Sequence, residues 1–234
     1  MGYFTQCFEN MDEEARESFY KTVLMNDPSE YAAAVRTEYY RSVLREMGEN
    51  VKIGVGVKIV NPHLISLGSN VRIRDGVSLI ARDGSEIVLR DNARLEDRVY
   101  LDTEGAGGFI HVGRSVYIGT GTTLFGHKGL TIGDHTLLAQ NITLTPYSHI
   151  FEDPDTNIIK QGGHSRHVTI GRDVYVGMGV SILYSGDIGD GSVIGAGSTV
   201  VKPIPPYSVA VGCPARVIRK RGKAESPVRK ESEE

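Results

Sequence analysis

The chain has 234 residues, of which 40% are hydrophobic and 24% charged, and a formal net charge of −3. This suits one domain of ordinary size with an appendage, and it excludes a disordered chain and a strongly basic nucleic-acid binder. Cys7 and Cys213 make neither a disulfide scaffold nor a zinc-finger spacing. No apolar run approaches the ~20 residues of a membrane span, and the N-terminus has no basic start followed by an apolar stretch, so the expected location is the cytoplasm.

Residues 1–50 read as a helical cap. Asn10 with Glu13 three residues on resembles a capping box. Asp27-Pro28-Ser29-Glu30 is a second start signal, and the spacing predicts a helix over 28–47. Tyr31, Val35, Tyr39, Val43 and Met47 recur every four residues, and Gly48 ends the run. With five basic and ten acidic residues, this segment is a charged cover for the main domain. It could also line an acceptor site or touch a partner subunit.

From residue 51 the period changes to six. Val51-Lys52-Ile53-Gly54 returns as Val116-Tyr117-Ile118-Gly119 and Val174-Tyr175-Val176-Gly177. The recurring apolar position falls at 53, 59, 67, 73, 79, 89, 95, 101, 112, 118, 124, 132, 138, 144, 170, 176, 182, 188, 194, 200 and 211, always Ile, Leu or Val. Glycine follows directly at ten of these 21, which marks corners. Two inward side chains on one short strand, then a corner, make one side of a coil. Three sides make a triangular coil of about 18 residues, and stacked coils bury a continuous aliphatic column.

The steps exceed six between 79 and 89, 101 and 112, 124 and 132, and 144 and 170, so every insertion leaves from the same corner. The last, residues 145–169, is the longest, and a long loop on a regular scaffold points to function. It carries His149, His164 and His167.

These phrases resemble the hexapeptide-repeat acyltransferases, in particular the galactoside, maltose and polysaccharide O-acetyltransferase branch. The C-terminal run carries the resemblance most clearly: Val193-Ile194-Gly195-Ala196-Gly197-Ser198, Ile204-Pro205-Pro206-Tyr207-Ser208 and Gly212-Cys213-Pro214-Ala215-Arg216-Val217-Ile218. So does Tyr147-Ser148-His149-Ile150-Phe151-Glu152-Asp153-Pro154-Asp155 with Gln161-Gly162. Tyr175 departs from the family, which usually has tryptophan there. The resemblance implies a mainly β fold: a left-handed parallel β-helix over 51–212, after the 1–50 helical cap and before a basic tail at 213–234. It also implies a homotrimer with active sites between neighbouring prisms. Acetyl-CoA is the expected cosubstrate, and a sugar or glycan hydroxyl the expected acceptor. No metal, nucleic acid or membrane span is expected.

The resemblance matches the family's catalytic histidine to His149, after the strand phrase Asn141-Ile142-Thr143-Leu144. A base must take the hydroxyl proton and return it to the leaving thiolate, and imidazole does both near neutral pH. Asn141 is implied in acceptor binding, or else satisfies a turn. Asp153 and Asp155 could orient His149 or hold acceptor hydroxyls, or mark an ordinary turn. A backbone N–H near Met178 is the implied oxyanion donor. Gly179, Ala196 and Gly197 are small where the pantetheine arm would approach, and Lys202 and Arg216 match positions near the nucleotide phosphates.

Three other readings exist. An amino sugar would make the enzyme an N-acetyltransferase. A non-catalytic β-helix would be a binding module. Trimeric β-helices also include zinc carbonic anhydrases of the gamma class, for which His111, His127 and His135 are the candidate ligands. No His-x₄-His pair supports that reading.

Overall fold

The computed structural model describes residues 10–19, 22, 25–105 and 107–222. Cys7 and residues 223–234 of the tail lie outside the described residues. Among the described residues, the chain is a left-handed parallel β-helix behind two helices. Among the described residues, its strands form three sheets of six, nine and seven strands and a two-stranded hairpin. Face 1 begins with Glu46–Met47 and Ile65–Leu67, face 2 with Lys52–Ile53 and Arg72–Ile73, and face 3 with Lys58–Val60 and Ser78–Ile80. Pairing between successive coils is parallel until the last strand, Arg216–Lys220, turns back antiparallel along Ser208–Val211.

The register stacks like upon like. On face 1, Leu67 lies beside Leu89, then Val112, Ile132, Ile170, Ile188 and Ile204. On face 2, Ile73, Leu95, Ile118, Leu138, Val176 and Ile194 form a second column. Leu79, Leu101, Leu124, Leu144, Ile182 and Val200 form the third. Burying each such side chain contributes about 1.5–3 kcal/mol. Every insertion leaves from the corner between face 3 and face 1, as the spacing predicts.

Four details differ from the sequence reading. The inward residue of the final coil is Ala210, which pairs with Ile194, whereas Val211 is 37% exposed. Ile204 follows Val200 by four positions in place of six, and this shorter step shifts the strand that follows. The coils begin at Glu46, before residue 51, because Glu46–Met47 already pairs with Ile65–Leu67. The tail after 212 is an ordered strand as far as Lys220. The Arg221 guanidinium is pinned to Asp173 Oδ2 at 2.8 Å and to the Gly191 carbonyl at 3.0 Å. Finally, the glycine after each apolar residue serves mainly close approach, with positive φ only at Gly212. A Cβ at Gly177 would meet Ala196 N at 2.5 Å, and at Gly119 would meet Ala139 C at 2.6 Å. The positive-φ corner falls two residues later, at positions such as Asn141 and Gly179.

The helices are α1, Glu13–Phe19, and α2, Glu30–Val43. Their caps differ from the expected residues. Asp12 accepts from Ala15 N in α1, and Ser29 accepts from Ala32 N in α2, while Asp27 caps Ser29 itself. Helix α2 ends at Val43, because Leu44 is extended and the chain enters the first strand at Glu46. Its buried stripe is Ala32, Arg36 and Tyr40, one residue off the predicted stripe. Tyr31 is 77% exposed. This stripe covers the first coil, which has no coil above it. The Arg36 guanidinium donates to the carbonyls of Asp27 and Ile53, and Tyr40 Oη to that of Val57. Polar heads thus satisfy the coil's open end.

Candidate active site

The long insertion is a built arm. Tyr147–His149 pairs antiparallel with Gly163–Ser165, setting His149 opposite Gly163. Gly163 leaves room for the Tyr147 phenol, and a Cβ there would displace that ring. The short helix α3, Ile158–Gln161, ends in Gln161, whose amide donates to the carbonyls of Asp153 at 2.9 Å and Thr156 at 2.7 Å. Arg166 pairs with Asp187 and fastens the arm's exit to the next coil. The His149 imidazole is exposed and lies edge-on to Tyr147, centroids 4.9 Å apart.

Asp153 and Asp155 serve the arm's own turn. Asp153 Oδ1 accepts from Asp155 N at 2.9 Å. The Thr156 hydroxyl and the Asp155 N–H hold the Asp153 carboxyl below the usual carboxylate range. Among the described residues no hydrogen bond joins either carboxylate to His149. His164 is exposed on the return strand. His167 Nε2 lies 2.9 Å from Thr131 Oγ1, and its ring packs on Phe109.

A second constellation occupies the corner between faces 2 and 3. Asn141, Gly179 and Gly197 take the same left-handed position in successive coils, with φ of 56°, 67° and 68°. Asn141 is thus a corner residue whose side chain lies over Gly121. A Cβ on Gly179 or Gly197 would meet nothing within 4 Å, so the backbone there forms an open ledge beside exposed Met178 and Ala196. From Asp97 onward the N–H groups at this corner position, those of Asp97, Thr120, Gln140, Met178 and Ala196, have no acceptor among the described residues. In early coils the corner N–H is capped by an aspartate of the next coil, as Val55 N is by Asp75 and Asp75 N by Asp97. On the corner between faces 1 and 2, Arg172 N is still capped by Asp190. Here Met178 and Ala196 replace the aspartates, and among the described residues neither the Met178 nor the Ala196 N–H has an acceptor. Outward N–H groups on a small-residue ledge suit the amide carbonyls of a thioester's arm, or an oxyanion.

The ledge and the arm stand at opposite ends of face 3. From Asn141 to Thr145 the chain runs about 13 Å at ~3.3 Å per residue. Lys202 lies exposed in the turn after Thr199–Val200, and Arg216 opens the returning strand with its Nη1 on the Ala215 carbonyl. The zinc candidates do not converge. His111 Nε2 sits 2.8 Å from Glu86, His127 stacks on Tyr147 at the insertion corner, and His135 turns the corner between faces 1 and 2.

No family model matches the chain. It is 42% identical to the galactoside O-acetyltransferase of Escherichia coli K12 over 131 residues, 55% of this chain and 61% of that relative. The chain spans about half to three fifths of the length of the curated relatives it matches. Among solved structures, the polySia specific acetyltransferase NeuO matches 77% of this chain and 89% of its own, with a TM-score of 0.52 and 26% identity. The N-acyltransferase AntD from Bacillus cereus matches 80% and 88% with a TM-score of 0.55 and 21% identity, a likeness of fold. The coils and their corner ledge define a hexapeptide-repeat β-helix protein. Within that class, the chain is similar in sequence to a galactoside O-acetyltransferase and in fold to acyltransferases of the hexapeptide-repeat type.

Reading the sequence alone missed the aspartate caps and the ring contacts around His149. The caps had a signal, since Asp75 and Asp97 recur at one corner position before Thr120, Gln140, Met178 and Ala196 take over. The ring contacts had none, because their partners come from different coils.

Proposed function

We propose that the chain is an acetyl-CoA-dependent O-acetyltransferase that acts on a hydroxyl of a sugar or glycan precursor. The observation that carries this reading is His149: an exposed imidazole on a two-stranded arm, held by ring contact and free of any carboxylate partner among the described residues. In this reading the imidazole takes the acceptor's hydroxyl proton as the oxygen attacks the thioester carbonyl. The C–S bond then breaks, and the imidazolium returns the proton to the thiolate. The Met178 N–H stabilises the oxyanion, and the pantetheine arm lies along Gly179, Ala196 and Gly197. Lys202 and Arg216 meet the phosphates at the nucleotide end.

Arm and ledge lie at opposite ends of one face, so the reading requires the arm of one protomer against the ledge of the next. A closed homotrimer meets that requirement. The relative named galactoside O-acetyltransferase supports a sugar as acceptor.

The test is acetyl transfer from labelled acetyl-CoA to a panel of glycosides and nucleotide sugars. His149→Ala should lose roughly 10²–10⁴-fold in kcat, with CoA affinity within about twofold of the parent. His164→Ala and His167→Ala should lose far less. Retention of more than about a tenth of kcat by His149→Ala would overturn the assignment.

A further inference from the structure

Asp102 is fully buried at the insertion corner. Its register neighbours in the coils on either side are Ile80 and Phe125, so a charge stands in an apolar column. Oδ1 accepts from Arg82 Nε at 3.0 Å and Glu104 N at 2.9 Å. Oδ2 accepts from Arg82 Nη2 at 2.7 Å and Tyr100 Oη at 2.8 Å. Burial pushes this carboxyl up, but the hydrogen bonds from Arg82, the Glu104 N–H and Tyr100 outweigh burial and hold it below its ordinary value. Such a buried pair adds little net stability over an apolar residue. Its effect is to fix a surface guanidinium. The Arg82 side chain remains 49% exposed, and its Nη1 has no acceptor among the described residues.

From Arg82 a track of rings leads toward His149, crossing between coils at Tyr100–Phe125 and at His127–Tyr147. Tyr100 meets Phe125 at 6.1 Å, Phe125 meets His127 at 6.2 Å, His127 stacks on Tyr147 at 5.0 Å, and Tyr147 meets His149 at 4.9 Å. Three coil steps separate the strand that leads into Arg82 from the one that leads into His149, about 14 Å along the axis at the usual strand spacing. That span exceeds a single hexose. Sugar rings pack their C–H faces on aromatic side chains, and a pre-fixed guanidinium binds a carboxylate through paired N–H donors.

We infer that this strip is an extended acceptor site for an acidic oligosaccharide, which lies along the rings with a carboxylate on Arg82 and the hydroxyl to be acetylated at His149. The inference rests on the acetyl-transfer reading for its catalytic end only.

The test is equilibrium binding without acetyl-CoA, using trigalacturonate and its neutral trimethyl ester on the full chain and on His149→Ala. The acid should bind at least tenfold more tightly than the ester in both proteins. Arg82→Gln should bring the two ligands within twofold, and Arg82→Lys should fall between. Phe125→Leu, which keeps the apolar volume, should weaken both ligands several-fold and covers the case in which Arg82→Gln does not fold. An acid preference that survives Arg82→Gln would overturn the site, as would equal binding or no binding of either at millimolar concentration. UDP-glucose binding more tightly than the trisaccharide, and through Arg82, would reassign the guanidinium to a diphosphate and overturn the oligosaccharide. Because no turnover is read, failure of the His149 chemistry and failure of this site give different results.

Discussion

The ring of Tyr147 is stacked on that of His127, centroids 5.0 Å and planes 20° apart, and stands nearly perpendicular to that of His149. Tyr147 and His149 belong to the arm and His127 to the preceding coil, so this contact ties the proposed base to the scaffold. A stacked pair contributes about 0.5–1.5 kcal/mol beyond its area. Tyr147→Ala should therefore lower kcat at least tenfold with little change in KM for acetyl-CoA, since a misplacement of about 1 Å can cost roughly 10²-fold. Tyr147→Phe should restore most of it. Steady-state kinetics of the two variants checks this, and equal losses would assign the effect to the hydroxyl.

His127 supplies a pH signature. Burial lowers its pKa from the ordinary 6.5, against the opposing pull of Glu104 and Asp102. The unfolded chain then takes up this proton more readily than the folded chain. Stability should fall as the pH drops below about 6.5, and the loss should level off below the depressed folded value. Thermal melts at pH 7.5 and 5.5 should show a smaller drop for His127→Asn than for the parent. Parallel curves would remove His127 from the account.

The ledge can be blocked without unfolding the coil. Gly179→Leu should raise KM for acetyl-CoA tenfold or more. Gly76, at φ 66° on the same corner, is the control for conformational cost. Both substitutions place a side chain in the left-handed region, at about 1–2 kcal/mol. Gly76→Ala should lower Tm by a few degrees and leave KM unchanged. A KM increase in both would point to the fold and away from the ledge.

The tail is clamped at Lys220 and Arg221. Arg221 bridges to Asp173 and Gly191, and Lys220 Nζ donates to the Pro206 carbonyl and the Ser208 hydroxyl. Truncation after Gly222 should leave Tm and KM within error, whereas truncation after Arg219, which removes the Lys220 and Arg221 contacts, should lower Tm by several degrees. Changing Lys202 and Arg216 together to alanine should raise KM for acetyl-CoA about tenfold, from roughly 1–3 kcal/mol of charge-assisted hydrogen bonding. Added salt should shrink the difference. An unchanged KM would move the nucleotide end elsewhere.

Oligomeric state gives the last check. The proposed chemistry needs the arm of one protomer against the ledge of the next, so light scattering at micromolar concentration should return a closed trimer. An active monomer would sink that arrangement.

What the sequence determined by itself is whatever repeats. Burial of Leu67, Leu89 and Val112 in one column follows from a six-residue period, because a strand must alternate and coils can only stack like on like. The common exit corner followed from the same arithmetic, and His149 stood out as the candidate base inside the longest exit. The tertiary structure decided what depends on distance between coils. The inward face of the final strand turned on a short step before Ile204, which moved Ala210 into the core and Val211 out. The stripe of α2 turned on which side met the open coil, and that chose Arg36 and Tyr40 because their polar heads reach carbonyls there. The links from Arg82 to Asp102 and from His127 to Tyr147 each join residues 20 apart, one coil from the next, so no local period records them. Side chains on neighbouring coils come within bonding range only once the stack has set its rise and register.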